Sequence, residues 1–293
     1  MRKEIVVGYE NKDLVGYFWD EVASPKAVVQ IVHGMQEHAK RYDDFAKFLN
    51  SKGFIVFASD LRGHGETCGN VKDLGHTNGD IFNEIVKDQI IITELLQKQY
   101  GLPVYVLGHS FGSFITQRYI QECSHAKKVV ICGSAYTKTF IMWMGGLVAN
   151  LTALFKGSHT RARLIEKLSF GSYAKNFEHG NWLCSDESVF EAYKKDEYCG
   201  TPFPVCFYKS MFKNVFNNYK HLKNISKDQQ VFLIAGDKDP VGGNGKLVEK
   251  LYAVYKKHGV DVSLKLYKND RHEILNGVNK HEVYADVVNF FEK

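Results

Sequence analysis

The sequence predicts an α/β protein with a doubly wound, mostly parallel sheet. Short apolar runs that are typical of buried strands alternate with stretches whose apolar residues recur at helical spacing. A serine between two glycines, in the segment Gly108–Gly112, directly follows one such run and opens a helical stretch. This alternation favours parallel strands covered by helices on both faces.

The predicted elements follow from these patterns in chain order. The N-terminal segment 4–19 has the pattern of a hairpin that turns at 10–13. The 81–100 stretch has apolar residues at helical spacing. The predicted strands after the hairpin are 28–32, 54–59, 104–107, 128–134, 230–236 and 262–267, with helices at 42–52 and 81–100.

The segment Gly108–Gly112 has the G-x-S-x-G pattern of a nucleophile elbow, a sharp turn from a strand into a helix. A Cβ atom at either glycine would collide with the neighbouring strand or helix. The turn pushes the serine hydroxyl out of the sheet edge, where a base can reach it. We therefore expect Ser110 to be a catalytic nucleophile.

A serine nucleophile needs a base, and the base needs an acid that orients it. In this arrangement the chain order is serine, acid, histidine. Asp237 and Asp239 follow the strand 230–236, and His272 follows the strand 262–267. His272 is thus the expected base. Both aspartates remain candidates for the acid, with a weak preference for Asp239.

The expected oxyanion hole consists of two main-chain N–H groups, one after the nucleophile and one from the loop after the third strand. The first belongs to Phe111, and the second is expected at Met35. His33, in the same loop, is expected to shape it and is a candidate for substrate contact. A structural set of ion pairs, formed by Glu37, His38 and Arg41, is expected behind the loop.

The chain resembles the monoacylglycerol lipase and lysophospholipase group of the α/β-hydrolase superfamily, whose members are often called serine-aminopeptidase-like hydrolases. The matching segments are 33–38 with 41–42, 60–65, 108–112, 236–242 and 271–276. The resemblance implies an eight-stranded, mostly parallel sheet with an inserted helical cap. It also implies that Asp239, in the Asp-Pro-Val-Gly turn, is the acid of the triad. Ser113 departs from the glycine that is common at its position.

The expected domain organisation is a hydrolase core, 1–134 and 228–293, with a cap at 135–227. Within the cap, the segment 139–155 has no charged residue. Three interpretations are open for it: a buried lid helix, the lining of an acyl tunnel, or a surface that touches a membrane or micelle. Met142 and Trp143 are its candidate substrate contacts.

Composition excludes several other classes. The net charge of +5 is spread along the chain without a long basic tract, which argues against nucleic-acid binding. The six cysteines form no C-x-x-C pair and no cluster with zinc spacing, so we expect reduced thiols, no metal and no cofactor. The start of the chain lacks the apolar core of a signal peptide. A cytoplasmic protein is expected, with transient membrane contact through the cap as an option; the oligomeric state is not indicated.

The function predicted from these residues is a serine hydrolase that cleaves carboxylic esters through an acyl-enzyme. Together with the resemblance, they favour medium-to-long acyl chains on glycerol or lysophospholipids as substrates. The alternatives are a broad carboxylesterase or thioesterase, an aminopeptidase, and a non-catalytic ligand-binding protein of the same fold.

Overall fold

The computed structural model describes all residues, 1–293, and contains one sheet of eight strands. In spatial order the strands are β1-β2-β4-β3-β5-β6-β7-β8. Their bounds are β1 Arg2–Val7, β2 Asp13–Trp19, β3 Ala27–Val32, β4 Phe54–Ser59, β5 Val104–His109, β6 Lys128–Cys132, β7 Gln230–Gly236 and β8 Asp261–Tyr267.

Ten α-helices accompany the sheet, and five of them lie between β6 and β7. The helices outside that interval are α1 Asp43–Ser51, α2 Ile81–Tyr100, α3 Phe111–Glu122, α9 Lys246–Lys257 and α10 Lys280–Glu292. The helices inside it are α4 Phe140–Lys156, α5 Arg163–Leu168, α6 Phe170–Ala174, α7 Glu187–Lys195 and α8 Val205–Phe216.

The sheet is parallel except at one edge. β1 pairs antiparallel with β2, and β2 pairs antiparallel with β4. β4 pairs parallel with β3, and each following pair, from β3–β5 to β7–β8, is parallel as well. The predicted fold class, a mostly parallel eight-stranded α/β sheet, is therefore confirmed.

The two faces of the sheet pack against different helices. On one face, side chains such as Ile31 and Leu107 pack against α1 and α10. On the other face, Val32 and Val106 pack against α2, α3 and α9. Because the central strands are buried on both faces, their sequences are continuous apolar runs rather than alternating ones. This is why the strand predictions agree with the structure to within three residues at each end.

The buried-helix interpretation of the segment 139–155 is wrong. The segment forms helix α4, which packs against α8, but Ala149 is its one buried residue. Several large apolar side chains on α4 face outward; Ile141 and Phe155, for example, are both 80% exposed. Because the segment is apolar on all sides, its sequence does not distinguish the packed face from the outer one.

None of the helices combines the length and the apolar character that crossing a membrane requires.

Candidate active site

Ser110 occupies the sharp turn between β5 and α3. Its backbone has φ 52° and ψ −119°, a conformation that residues other than glycine rarely adopt. The flanking glycines allow the close approach of neighbouring backbone. A Cβ atom on Gly112 would lie 2.5 Å from the carbonyl oxygen of His33, and one on Gly108 would lie 2.5 Å from the carbonyl oxygen of Gly112. The geometry is that of a nucleophile elbow.

His272 and Asp239 are joined by a hydrogen bond. Nδ1 of His272 lies 2.9 Å from Oδ2 of Asp239, and both side chains are buried. The other carboxylate oxygen, Oδ1, accepts the main-chain N–H of Val241 at 2.9 Å. Asp237 lies elsewhere: its Oδ1 accepts the N–H of Asn269 at 2.7 Å. Of the two aspartates, Asp239 is therefore the one placed to orient the imidazole.

The second imidazole nitrogen of His272 has no partner within the protein. Its Nε2 is buried and makes no hydrogen bond within the protein. His272 and Ser110 line the same cavity. With Nδ1–H donated to Asp239, Nε2 carries the lone pair that a general base requires.

Two main-chain N–H groups near Ser110 are free of protein acceptors. The amides of Met35 and Phe111 donate to no backbone or side-chain oxygen. Both residues line the cavity that contains Ser110. Phe111 is also the first residue of α3, where the helix dipole favours negative charge. These features suit the binding of an oxyanion.

His33 supports the loop after β3 rather than the cavity. Its Nε2 accepts the N–H of Leu61 at 2.9 Å, which places the ring proton on Nδ1, and Nδ1 donates to the carbonyl oxygen of Gly34 at 2.8 Å. Burial lowers the pKa of His33 and keeps the ring neutral. The ring is fully buried and does not line the cavity, so the candidate substrate contact at His33 is not found.

Behind the loop, Glu37 and Arg41 form part of the expected ion-pair set, whereas His38 contacts Asp196 instead. Arg41 donates one bond of 2.7 Å to Glu37 and two bonds of 2.7 Å to Glu273. Burial alone would raise the pKa of Glu37, but the bond with His109 and the charge of Arg41 hold that pKa well below its usual range. Glu273 follows the base directly, so this network fixes the backbone that carries His272.

The cavity above Ser110 has a volume of about 270 Å³ and a mostly apolar lining. Met142 of α4 contributes to this lining, whereas Trp143 does not and is 51% exposed. Other apolar side chains in the wall come from α3, α6, α7, α8, the loop before α7 and the loop after β7: Phe114, Phe170, Tyr173, Trp182, Phe190, Met211, Phe212 and Val241.

Sequence reasoning missed Trp182. Its ring lies 5.3 Å from the ring of His272 and stacks on Phe170, with centroids 5.4 Å apart. The indole therefore covers His272 on the side that faces helices α4 to α8. No motif marks it, because it lies in a loop 90 residues before His272 and only the fold brings the two rings together.

The sheet order and the serine elbow between β5 and α3 define an α/β-hydrolase. The chain also matches the family described as serine aminopeptidase, S33, over residues 23–279, and it belongs to that family.

The chain is also similar to three individual proteins. A monoacylglycerol lipase of Mycolicibacterium smegmatis is 28% identical over 93% of this chain and 90% of its own length. A monoglyceride lipase homolog of Monkeypox virus is 33% identical, but the matched region spans 40% of this chain and 41% of that protein. The crystal structure of a thermostable carboxyl esterase from Bacillus coagulans has a TM-score of 0.89 at 24% identity, covering 99% of this chain and 97% of the esterase.

Proposed function

We propose that this protein is a serine hydrolase that cleaves carboxylic esters of medium-to-long acyl chains, of the monoacylglycerol or lysophospholipid type. The observation that carries the proposal is the hydrogen bond between Asp239 and His272 beside the strained elbow of Ser110. The similarity to a monoacylglycerol lipase over nine-tenths of both chains supports the substrate class.

In the proposed reaction, Nε2 of His272 takes the proton of the Ser110 hydroxyl as its oxygen attacks the ester carbonyl. The N–H groups of Met35 and Phe111 hold the negative oxygen of the tetrahedral intermediate. His272 then protonates the leaving alcohol. Water attacks the acyl-enzyme by the same route, with Asp239 orienting the imidazole throughout.

The acyl chain would lie in the apolar cavity beneath α4 to α8. We propose that these helices, within the segment 135–227, act as a cap on the core formed by 1–134 and 228–293. Apolar side chains such as Met142 and Phe212 face the cavity, and each methylene they bury contributes about 0.8 kcal/mol. Longer acyl chains should therefore bind more tightly until the cavity is full.

Two measurements test the activity. A fluorophosphonate probe should label the wild-type protein at Ser110, which a non-catalytic binding protein would not allow. A series of p-nitrophenyl esters, monoacylglycerols, thioesters and aminoacyl amides should give the highest kcat/KM for medium-to-long monoacyl esters. A maximum of kcat/KM at acetate would indicate a broad carboxylesterase. Faster cleavage of thioesters or amides than of esters would show that the proposed substrate class is wrong.

We also propose that the outer face of α4 contacts a lipid surface while the enzyme takes up substrate. Phe140, Ile141, Leu154 and Phe155 are 74–80% exposed on this helix. Exposed lysines stand at both ends of the apolar stretch, Lys138 before it and Lys156 at its end. An apolar face flanked by basic residues is typical of a helix that lies in the interface of an anionic bilayer.

Vesicle flotation tests this contact. The wild type should float with vesicles that contain anionic phosphatidylglycerol, and the double variant Ile141→Glu, Phe155→Glu should not. Both substituted residues are exposed, so hydrolysis of a water-soluble butyrate ester should stay unchanged. A double variant that still floats with the vesicles would refute the proposed contact.

A further inference from the structure

A cluster of three ligand-type side chains lies outside the catalytic constellation. It consists of His38, from the loop after β3, with Asp196 and Cys199, from the turn that follows α7. One ligand atom from each residue lies within 4.8 Å of those from the other two. No spacing motif reveals this cluster, because 158 residues separate the histidine from the aspartate.

Two of the three side chains in the cluster are already in contact. Nε2 of His38 lies 2.8 Å from Oδ2 of Asp196. The other nitrogen, Nδ1, is buried without any hydrogen-bond partner, and the His38 side chain is 7% exposed. Cys199 is a free, buried thiol.

The turn that carries two of these ligands is held in place. The N–H of Tyr198 donates to Oδ1 of Asp196 at 2.9 Å, and the N–H of Cys199 donates to the Asp196 carbonyl at 3.0 Å. The N–H of Gly200 donates to the carbonyl oxygen of Gln36 at 3.1 Å, which ties the turn to the loop that carries Met35. The ligands therefore sit on backbone that is fixed before any ion arrives.

We propose that His38, Asp196 and Cys199 bind one thiophilic divalent cation of the zinc class. Nitrogen, oxygen and sulfur donors of this kind are the ligands of Zn²⁺ in proteins, at about 2.0–2.3 Å. On binding, the three side chains would close from their present separations onto one ion. Thiolate and imidazole ligands favour Zn²⁺, Co²⁺ or Cd²⁺ over Mg²⁺ and Ca²⁺. The ion would join the segment between β6 and β7 to the loop after β3.

The charges of the three side chains and the solvent exposure of Asp196 suit a divalent ion. Binding breaks the S–H bond of Cys199, releases the proton to solvent and leaves a thiolate whose sulfur lone pair binds the metal. The thiolate and the Asp196 carboxylate together cancel the two positive charges of the ion, while nearby Arg41 is already neutralised by Glu37 and Glu273. The Asp196 side chain is 32% exposed and offers a route of entry and a site for a bound water.

The test is a titration of the chelator-treated, reduced, full-length protein with Co²⁺ and then Zn²⁺. We expect one equivalent of Co²⁺ to produce the near-ultraviolet absorption of a thiolate–cobalt bond, and one equivalent of Zn²⁺ to abolish it. Zn²⁺ should also raise the thermal midpoint. In Cys199→Ser the thiolate–cobalt absorption should be lost. In His38→Gln and Asp196→Asn the affinity should fall at least about tenfold, by comparison with the ~10–100-fold effect of outer-shell residues.

Cys68→Ser is the matched control, because Cys68 is a free, partly buried thiol in a different loop. Its cobalt absorption and its zinc affinity should equal those of the wild type. If Cys199→Ser does not fold, His38→Gln and Asp196→Asn decide the question through affinity alone. The proposal is overturned if the wild type binds no stoichiometric metal, if the signal survives in Cys199→Ser, or if Cys68→Ser loses it. It is also overturned if His38→Gln and Asp196→Asn bind like the wild type.

Discussion

Nδ1 of His272 lies 2.9 Å from Oδ2 of Asp239 at a position that solvent does not reach. The carboxylate cannot turn away from the ring, because its other oxygen is held by the N–H of Val241. The imidazole is thereby fixed as the tautomer whose free nitrogen, Nε2, opens toward the cavity of Ser110. This relationship determines how the site responds to substitution.

Asp239→Asn should reduce turnover by about 10⁴, because an amide nitrogen next to Nδ1 favours the wrong tautomer. Asp237→Asn is the matched control and should have a far smaller effect, since its carboxylate supports only the turn at Asn269. Both variants should be compared by kcat on one soluble ester. A larger loss in Asp237→Asn would transfer the role of acid to Asp237.

Ser110→Ala should remove fluorophosphonate labelling and reduce ester turnover by roughly 10⁴-fold or more, as the loss of a triad member does in other serine hydrolases. Ser51→Ala, at an exposed serine near the end of α1, should keep both labelling and turnover. Labelling and turnover are measured on protein whose thermal midpoint shows that it is folded. Wild-type turnover in folded Ser110→Ala would exclude the proposed mechanism.

Met142 and Trp143 are adjacent in sequence but face different surroundings. Met142→Glu places a charge in the apolar cavity and should lower kcat/KM for long acyl esters much more than for butyrate, because long chains lose the most apolar contact. Trp143→Glu, on the outer face, should leave kcat/KM for soluble esters unchanged at every length and should weaken vesicle binding. Equal losses for short and long esters in Met142→Glu would show that Met142 does not contact the acyl chain.

We expect the burial of His64 to make the free energy of unfolding depend on pH. Burial lowers its pKa to about 3, with a further contribution from neighbouring His33. Between this value and the unfolded pKa of about 6.5, the unfolded chain binds a proton that the folded protein does not, so stability falls as pH falls through this range and is constant above it. From pH 7 to pH 5, His64 should account for a loss of about 2 kcal/mol.

Urea unfolding at pH 7 and at pH 5 measures this effect. In His64→Phe the difference in the free energy of unfolding between the two pH values should be smaller by about 2 kcal/mol than in the wild type. His281→Gln, which changes an exposed ring on α10, should keep the wild-type difference. An unchanged pH dependence in His64→Phe would mean that the ring is already protonated, or reaches solvent, in the folded protein.

The sequence predicted the fold and the constellation around Ser110 because both depend on local patterns. A strand buried on both faces is a continuous apolar run, and β7 was predicted with the bounds that the structure has. The elbow, the turn at Asp239 and the segment with His272 are contiguous motifs at strand ends. The features that the sequence did not predict depend on how distant parts of the chain pack against one another. The apolar stretch of α4 gave no indication of its exposed side, and the positions of Trp182 and His38 depend on contacts between distant parts of the chain.

The backbone at Ser110 has a consequence for the evolution of the chain. A residue with a side chain in this conformation costs on the order of 1–3 kcal/mol, whereas glycine adopts it without that cost. Ser110→Gly should therefore unfold at a higher temperature than Ser110→Ala, although neither retains a nucleophile. Selection for stability alone would replace this serine with glycine. Its presence at this strained turn marks a place where chemistry and folding favour different residues.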